Sequence, residues 1–300
     1  MRLRRGIPLS IRVYLCLIAF ALVVHAQPPA LTITTEPNAI VWIDEVRRGT
    51  TDASGKLALT KISAGRHTVR VRANGFKEAT AVLLPGRRTL TVKLLPTTDE
   101  AELTFQKAET AREQARDDAA REKAADIYRE AIKLRPAFPA AHVGLARVLL
   151  DLNQFKEARA EIDAARRTKP VYPEASAVEG RIYREEAFAA EAIRSFRRAI
   201  REGNGFQPEA HVGLARVYED AGDFNGAVAE LRKAIDQLSD SEPVIYQMLG
   251  AAYEKIEKPK DAVAAYEKYL QLAPNGSYAA AIRSILEQLK REAAGEQIIP

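Results

Sequence analysis

Small and large apolar residues recur in fixed columns between residues 105 and 274. Ala124, Ala158, Ala192, Ala227 and Ala262 form the first column, and Tyr128, Ile162, Phe196, Leu231 and Tyr266 stand four positions after them. Ala131, Ala165, Ala199 and Ala234 follow three later, with Tyr269 as the exception. The stretch HVGLARV occurs at 142–148 and again at 211–217, an offset of 69 residues, or two units of about 34. Such columns predict pairs of short helices, in which small residues admit close approach and large ones fill the space between stacked pairs. Units are expected to begin near Phe105, Pro139, Pro173, Pro208 and Pro243, and Pro136, Pro170 and Pro274 close three of them. The first unit has Ala111-Arg112 where later ones carry Leu145-Ala146, Leu214-Ala215 or Leu249-Gly250. It also lacks a helix breaker, so it is expected either as an N-terminal cap or as partly one long helix.

Before the array the hydrophobic period falls to two. Alternating or β-branched runs occur at 31–35, 39–44, 56–62, 67–73, 79–84 and 89–95, separated by Pro, Asn, Asp and Gly turns. Six such strands predict a small antiparallel sandwich. Alternation puts Val41, Ile43, Val69 and Val71 inward and turns Trp42, Arg66, Arg70 and Arg72 to the other side. Residues 97–102 read as a linker, in which Thr97 and Glu100 are spaced as a capping box. After the array, Asn275-Gly276 is a turn and Ser277 an N-cap. Ile282, Ile285, Leu286 and Leu289 then form one apolar stripe opposite Arg283, Glu287, Lys290 and Arg291, as a solvating end helix requires.

The first 26 residues add an export pattern: Arg2, Arg4, Arg5 and Arg12, an apolar core at 13–24, and Val24-His25-Ala26 as a cleavage site. That core is too short to span a bilayer. Periplasmic or secreted location is expected, the alternative being an inner-membrane anchor formed by an uncleaved leader. The lone Cys16 lies in the leader, which leaves the mature chain without thiol chemistry or disulfides. The leader also removes most of the formal charge of +5. What remains is divided: residues 27–96 hold 11 Lys/Arg against 5 Asp/Glu, and residues 97–300 hold 30 against 35. A basic front is thus joined to an acidic array, and export with an acidic array speaks against nucleic acid as a partner.

Two resemblances cover most of the chain. In its columns, its 34- and 35-residue spacings and its last unit, YQMLGAAYEKIEKPKDAVAAYEKYLQLAP, the region 103–274 resembles an array of about five tetratricopeptide repeats. The resemblance implies a helical solenoid that binds proteins in its concave groove. The order EPNAIVWID, SAGRHTVRV, ANGF over 27–96 resembles the PEGA domain, a β-sandwich of bacterial envelope proteins. Pro37, Ala39 and Gly75-Phe76 match that family, while Asn38 stands where its motif has Gly or Glu-Gly.

The groove register of tetratricopeptide repeats falls on Arg147, Arg181 and Arg216 at the ninth position of three successive first helices, with Arg184 at a twelfth. Arginine pairs carboxylates bidentately, so the ladder could hold an extended acidic segment. Against this, Asp151, Glu185 and Asp220 lie four residues after those arginines, where intrahelical pairing would neutralise the ladder. On the β-module, Trp42 with Arg66, Arg70 and Arg72 could meet a glycan or an anionic glycolipid, or Trp42 could be covered by an arginine stem or the array. No metalloprotease helix motif, phosphate loop or serine elbow is present in the sequence. Asp223-Phe224-Asn225-Gly226 lacks the flanking ligands of a calcium loop, having Ala221 and Arg232 there. His142 and His211 sit in different units and read as packing residues. No cofactor and no enzymatic activity are expected. The reading is an exported adaptor that binds protein in the groove and faces the envelope through its β-module. The alternative is a cell-wall or carbohydrate-binding protein whose array is a spacer or dimerisation element.

Overall fold

The structure, a computed structural model, describes residues 31–44, 46–60, 62, 65–238 and 242–294. The expected leader lies outside the described residues. The chain is β-rich up to Pro96 and helical from Glu100.

The strands are β1 (Leu31–Thr34), β2 (Ile40–Ile43), β3 (Val46–Thr50), β4 (Lys56–Leu59), β5 (His67–Arg72), β6 (Phe76–Lys77), β7 (Ala79–Leu83), β8 (Thr89–Thr91) and β9 (Leu95–Pro96). One sheet has the order β4-β1-β8, a second β3-β2-β5-β7, and β6 pairs with β9. Leu31, Ile33, Val41, Ile43, Val69 and Val71 fill the space between the sheets, as the period of two requires. Two expectations are corrected. The sandwich is not wholly antiparallel, because β8 runs parallel to β1. The chain reaches β8 from β7 in the opposite sheet rather than through a hairpin, and only a hairpin would force the antiparallel direction. The strand β3 escaped notice because VRRGT has one apolar residue and no alternation, as suits a charged edge strand.

The helices are α1 (Glu100–Gln114), α2 (Asp118–Leu134), α3 (Pro139–Asp151), α4 (Phe155–Thr168), α5 (Pro173–Glu185), α6 (Ala189–Glu202), α7 (Pro208–Asp220), α8 (Phe224–Leu238), α9 (Val244–Lys255), α10 (Pro259–Leu272) and α11 (Ala279–Ala294). Pro139, Pro173 and Pro208 occupy first helical positions, where their fixed φ helps and no N–H is missed. Within four units the turn between the two helices is the same. Asn153, Ala187, Gly222 and Glu257 take left-handed φ of 59°, 62°, 77° and 55°. The N–H that follows each donates to the carbonyl five residues back, at 2.8, 2.8, 2.8 and 3.0 Å. That is the Schellman closure of a helix. The first unit uses other means: Asp117 breaks the chain between α1 and α2 by accepting from the Ala120 N–H at 2.8 Å. It is therefore a regular helix pair rather than one long helix.

Aromatic rings from second helices lie against glycines of first helices. Tyr128 packs on Gly144, Tyr266 on Gly250, and Phe196 on both Gly180 and Gly213. A Cβ at any of these four glycines would come within 2.3 to 2.6 Å of a ring carbon. The alanine columns Ala124, Ala158, Ala192, Ala227 and Ala262 are fully buried, so the backbones of paired helices approach closely.

The ends differ from expectation in detail. Asp99, not Thr97, caps α1, accepting from the Glu102 N–H at 3.2 Å, while Thr97 Oγ1 accepts from the Asp99 N–H. Tyr278 rather than Ser277 immediately precedes α11, and its carbonyl accepts the Ile282 N–H. On α11 Ala279, Ile282, Leu286 and Leu289 are buried, whereas Ile285 stays 36 % exposed.

Candidate partner-binding groove

The first helices of successive units, α1, α3, α5, α7 and α9, line one side of a concavity, and the β2–β5 face of the β-module stands across it. Between them lies a cavity of about 830 Å³. Phe105, Val143, Val212 and Ile245 give its walls apolar surface, and a ladder of charged side chains runs between them.

All four arginines expected in the groove are there, but most of their pairing crosses between helices. Arg147 reaches past α5 and forms a bidentate pair with Glu209 of α7, at 2.8 and 2.9 Å. Arg181 lies 3.5 Å from Asp151 of α3 and 3.8 Å from Glu209. Arg184 forks onto Asp220 of α7 at 2.8 and 3.2 Å and also bonds Glu185. Of the acids expected to neutralise their own helix, Asp151 and Asp220 thus serve α5, while Glu185 stays on its own helix with Arg184. Helices packed 8–10 Å apart are within reach of long side chains, so cross-helix pairs form as readily as intrahelical ones. Arg216 stays exposed and has no ion pair among the described residues, since Asp220 is taken by Arg184.

The pairs around Glu209 and Glu109 have electrostatic consequences. Burial alone would push the Glu209 carboxyl up, and Arg147 more than reverses this, so it sits below the usual carboxylate range. Arg147 is raised in turn, Glu209 outweighing burial. Glu109 behaves like Glu209: burial opposes, while Arg112, Arg72 and the hydroxyl of Tyr128 hold it down. Burial, then Glu109, pushes the Tyr128 phenol far up, and burial with Glu174 does the same to Tyr172.

On the β-module, Trp42 faces away from the sandwich core as expected, but it does not face open solvent. The guanidinium of Arg70 lies 4.2 Å from the Trp42 ring centroid and that of Arg72 5.2 Å from it. Arg72 is buried, over the Phe105 ring of α1. Of the four residues proposed to face an envelope ligand, only Arg66, one residue before β5, lies outside this cluster and is exposed. Of the two expectations for Trp42, cover by arginine stems is the one the structure has, and the array stands across the cavity from it.

His142 and His211 are buried and each bonds a glutamate of its unit's second helix at 2.6 Å, Glu161 and Glu230. Both are packing residues with a polar anchor. Among the described residues no group of three His, Cys, Asp or Glu is placed to hold a metal. Nor is any helix among them long and apolar enough to cross a membrane.

Models of the tetratricopeptide repeat match residues 115–182, 178–243 and 243–275. The helical region is a tetratricopeptide repeat array. Solved structures agree on the fold. A thermophilic tetratricopeptide repeat protein of Thermus thermophilus superposes with a TM-score of 0.53 at 20 % identity, over 63 % of this chain and 98 % of its own. PilW, a widely conserved type IV pilus biogenesis factor, gives 0.55 at 16 % identity, over 67 % and 90 %. PilF of Pseudomonas aeruginosa gives 0.53 at 16 %, over 65 % and 88 %. Among curated proteins none matches the chain. The tetratricopeptide units together with the β-rich region 31–96 make up the described fold.

Proposed function

We propose that this protein is an exported, non-enzymatic scaffold that holds a protein partner in the concave groove of its tetratricopeptide repeats. The observation that carries the reading is Arg216: an exposed guanidinium lining the groove, without an ion pair among the described residues, beside the paired Arg147, Arg181 and Arg184. With Arg181, whose contacts at 3.5 and 3.8 Å are long, it forms the part of the ladder open to a new carboxylate. An extended acidic segment lying against Val212 would meet both. The PEGA-like order of the β-module and the leader pattern support a place in the cell envelope.

Charge reversal tests this best at Arg181 and Arg216. Arg147 is excluded because its bidentate pair with Glu209 holds α3 to α7. Affinity capture from solubilised envelope uses residues 27–300 as bait and the Arg181→Glu/Arg216→Glu variant as control. A protein retained by the first, released by salt and absent from the second supports the groove. Equal recovery by both baits overturns it.

A further inference from the structure

The basic β-module and the acidic array meet in the groove itself. Arg47 pairs with Glu113 at 3.0 Å, Arg72 with Glu109 at 3.6 Å and Arg70 with Glu174 at 3.9 Å. Arg48 reaches the carbonyl of Gln237 on α8 at 3.4 Å. The β-module therefore touches α1, α5 and α8, lying across the walls that a groove partner would use.

Several features make this contact a separable one. The apolar cluster of the sandwich and the apolar clusters of the array have no member in common. What joins them is charge and a few polar bonds around an unfilled cavity, the composition of a reversible domain contact rather than of a shared core. The outermost ion pair is partly solvated, Arg47 being 49 % and Glu113 38 % exposed, whereas the Arg70–Glu174 and Arg72–Glu109 pairs are mostly shielded but long, at 3.9 and 3.6 Å. The exposed pair is weak and screened by salt, and the shielded ones are screened less. Arg70 and Arg72 also keep a partner inside the module, since both bond Glu78, at 3.1 and 2.8 Å. Undocking therefore leaves neither arginine bare.

The attachment is also lopsided. Next to the linker, the Gly75 N–H donates to Gln106 Oε1 and Gln106 Nε2 donates to the Phe76 carbonyl, both at 2.9 Å, and Gln106 is buried. The far side, with Arg47, Arg48 and Trp42, meets the array through the exposed Arg47–Glu113 pair and the 3.4 Å bond of Arg48 to the Gln237 carbonyl. The bonds of Gln106 lie beside the linker, where a hinge would sit, and Trp42 lies on the side away from it.

We propose that the β-module is a resident occupant of the groove which closes it, and that opening about the Gln106 hinge admits the partner. The partner's role rests on the reading of the groove as its binding site, whereas the opening itself does not.

Trp42 is the only tryptophan of the chain and lines the cavity between the module and the array, so its emission and quenching follow the opening of that cavity. In the full chain, Glu113→Arg/Glu174→Arg sets like charges against Arg47 and Arg70, a juxtaposition that disfavours contact. Trp42 emission is expected to shift to the red, with iodide quenching raised about threefold or more, and Arg47→Glu added to that chain, which restores one pair and leaves Arg70 over Trp42, is expected to reverse part of both. In a Cys16→Ser background, maleimide labelling of the thiol introduced by Val212→Cys is expected to speed up in the opened chain. Raising salt to about 1 M on the unmutated chain should move Trp42 the same way, which guards against a variant that misfolds. Unchanged Trp42 emission in both tests, with the helical circular dichroism of the parent, overturns the proposal. So does release of Trp42 without faster labelling at position 212. Neither readout involves a partner, so failed capture with intact opening would sink only the functional reading.

Discussion

Replacing Gly213 by alanine sets two effects of known size against each other. A glycine inside a helix is about 1 kcal/mol worse than alanine, so on propensity alone the change would strengthen α7. The new Cβ, however, would stand 2.3 Å from Cε1 and Cζ of Phe196. Ordinary carbon contacts lie at about 3.5–4.0 Å, so the overlap exceeds 1 Å by a rough measure. The ring cannot retreat freely: it is fully buried, and Gly180 of α5 already approaches its Cδ1 side. Overpacking of this kind costs roughly 1–3 kcal/mol, and a ring held from both sides belongs at the upper end. The net expectation is a loss of about 2 kcal/mol after propensity is credited. For a chain of this size that lowers Tm by about 4–8 °C. Urea unfolding followed by far-UV circular dichroism measures it, alongside Phe196→Leu and the double variant. Shrinking the ring should recover about 1 kcal/mol of the loss as a coupling energy. If Gly213→Ala is as stable as the parent, or if the two changes simply add, the ring is not wedged and the close-packing account of the repeat fails.

Other sites give sharper contrasts. Ala187 holds the left-handed turn position that Gly222 holds in another unit, so Ala187→Gly should gain about 0.5–1 kcal/mol and Gly222→Ala should lose about 1 kcal/mol in the same unfolding assay. Glu209→Ala leaves Arg147 without its bidentate partner and should cost about 2 kcal/mol, below the figure for a wholly buried pair. Because Arg147 depresses the folded-state pKa of Glu209, the stability this group lends is complete above the unfolded carboxylate value of about 4.3 and is lost as pH falls through the folded value. A urea series from pH 6 down to 3 should therefore be flatter for Glu209→Gln than for the parent. His142 runs the other way: its hydrogen bond to Glu161 raises its pKa, so its contribution is full below about 6.5 and disappears as pH rises through the folded value. Glu161→Gln should reduce that alkaline loss, the bond of His142 to the Pro136 carbonyl being kept, as read from midpoints at pH 5.5 and 8.5.

Most of the fold was legible because its signals are local. The columns through Ala124 and Tyr128 report which residues face a neighbouring helix, and Pro139, Pro173 and Pro208 report where first helices start. The alternation at Val69 and Val71 likewise gave the inner face of the sandwich. The missed elements carry weak local signals: β3 has one apolar residue, and the direction of β8 is set by which sheet the chain enters. The groove was legible only in part. The repeat register placed Arg147, Arg181, Arg184 and Arg216 together, yet Asp151 and Asp220 were assigned to arginines of their own helices and serve α5 instead. Spacing of four counts neighbours along one helix and cannot count those on the next. Glu209 begins α7, 62 residues after Arg147, and nothing in the local sequence singles it out. The docking of Trp42 had one global trace, the opposed charges of the two regions.

The polar character of the β2–β5 face has a consequence for the order in which the molecule is made. Synthesis delivers residues 31–96 before any helix exists, and Gln237, the last contact of the module, follows about 140 residues after that segment ends. At about 5–20 residues per second the finished sandwich waits for many seconds with its outer face bare. An apolar face left waiting would recruit other nascent chains, whereas one of Arg47, Arg70 and Arg72 around a single Trp42, with Glu78 bound to two of the arginines, stays hydrated until its groove arrives.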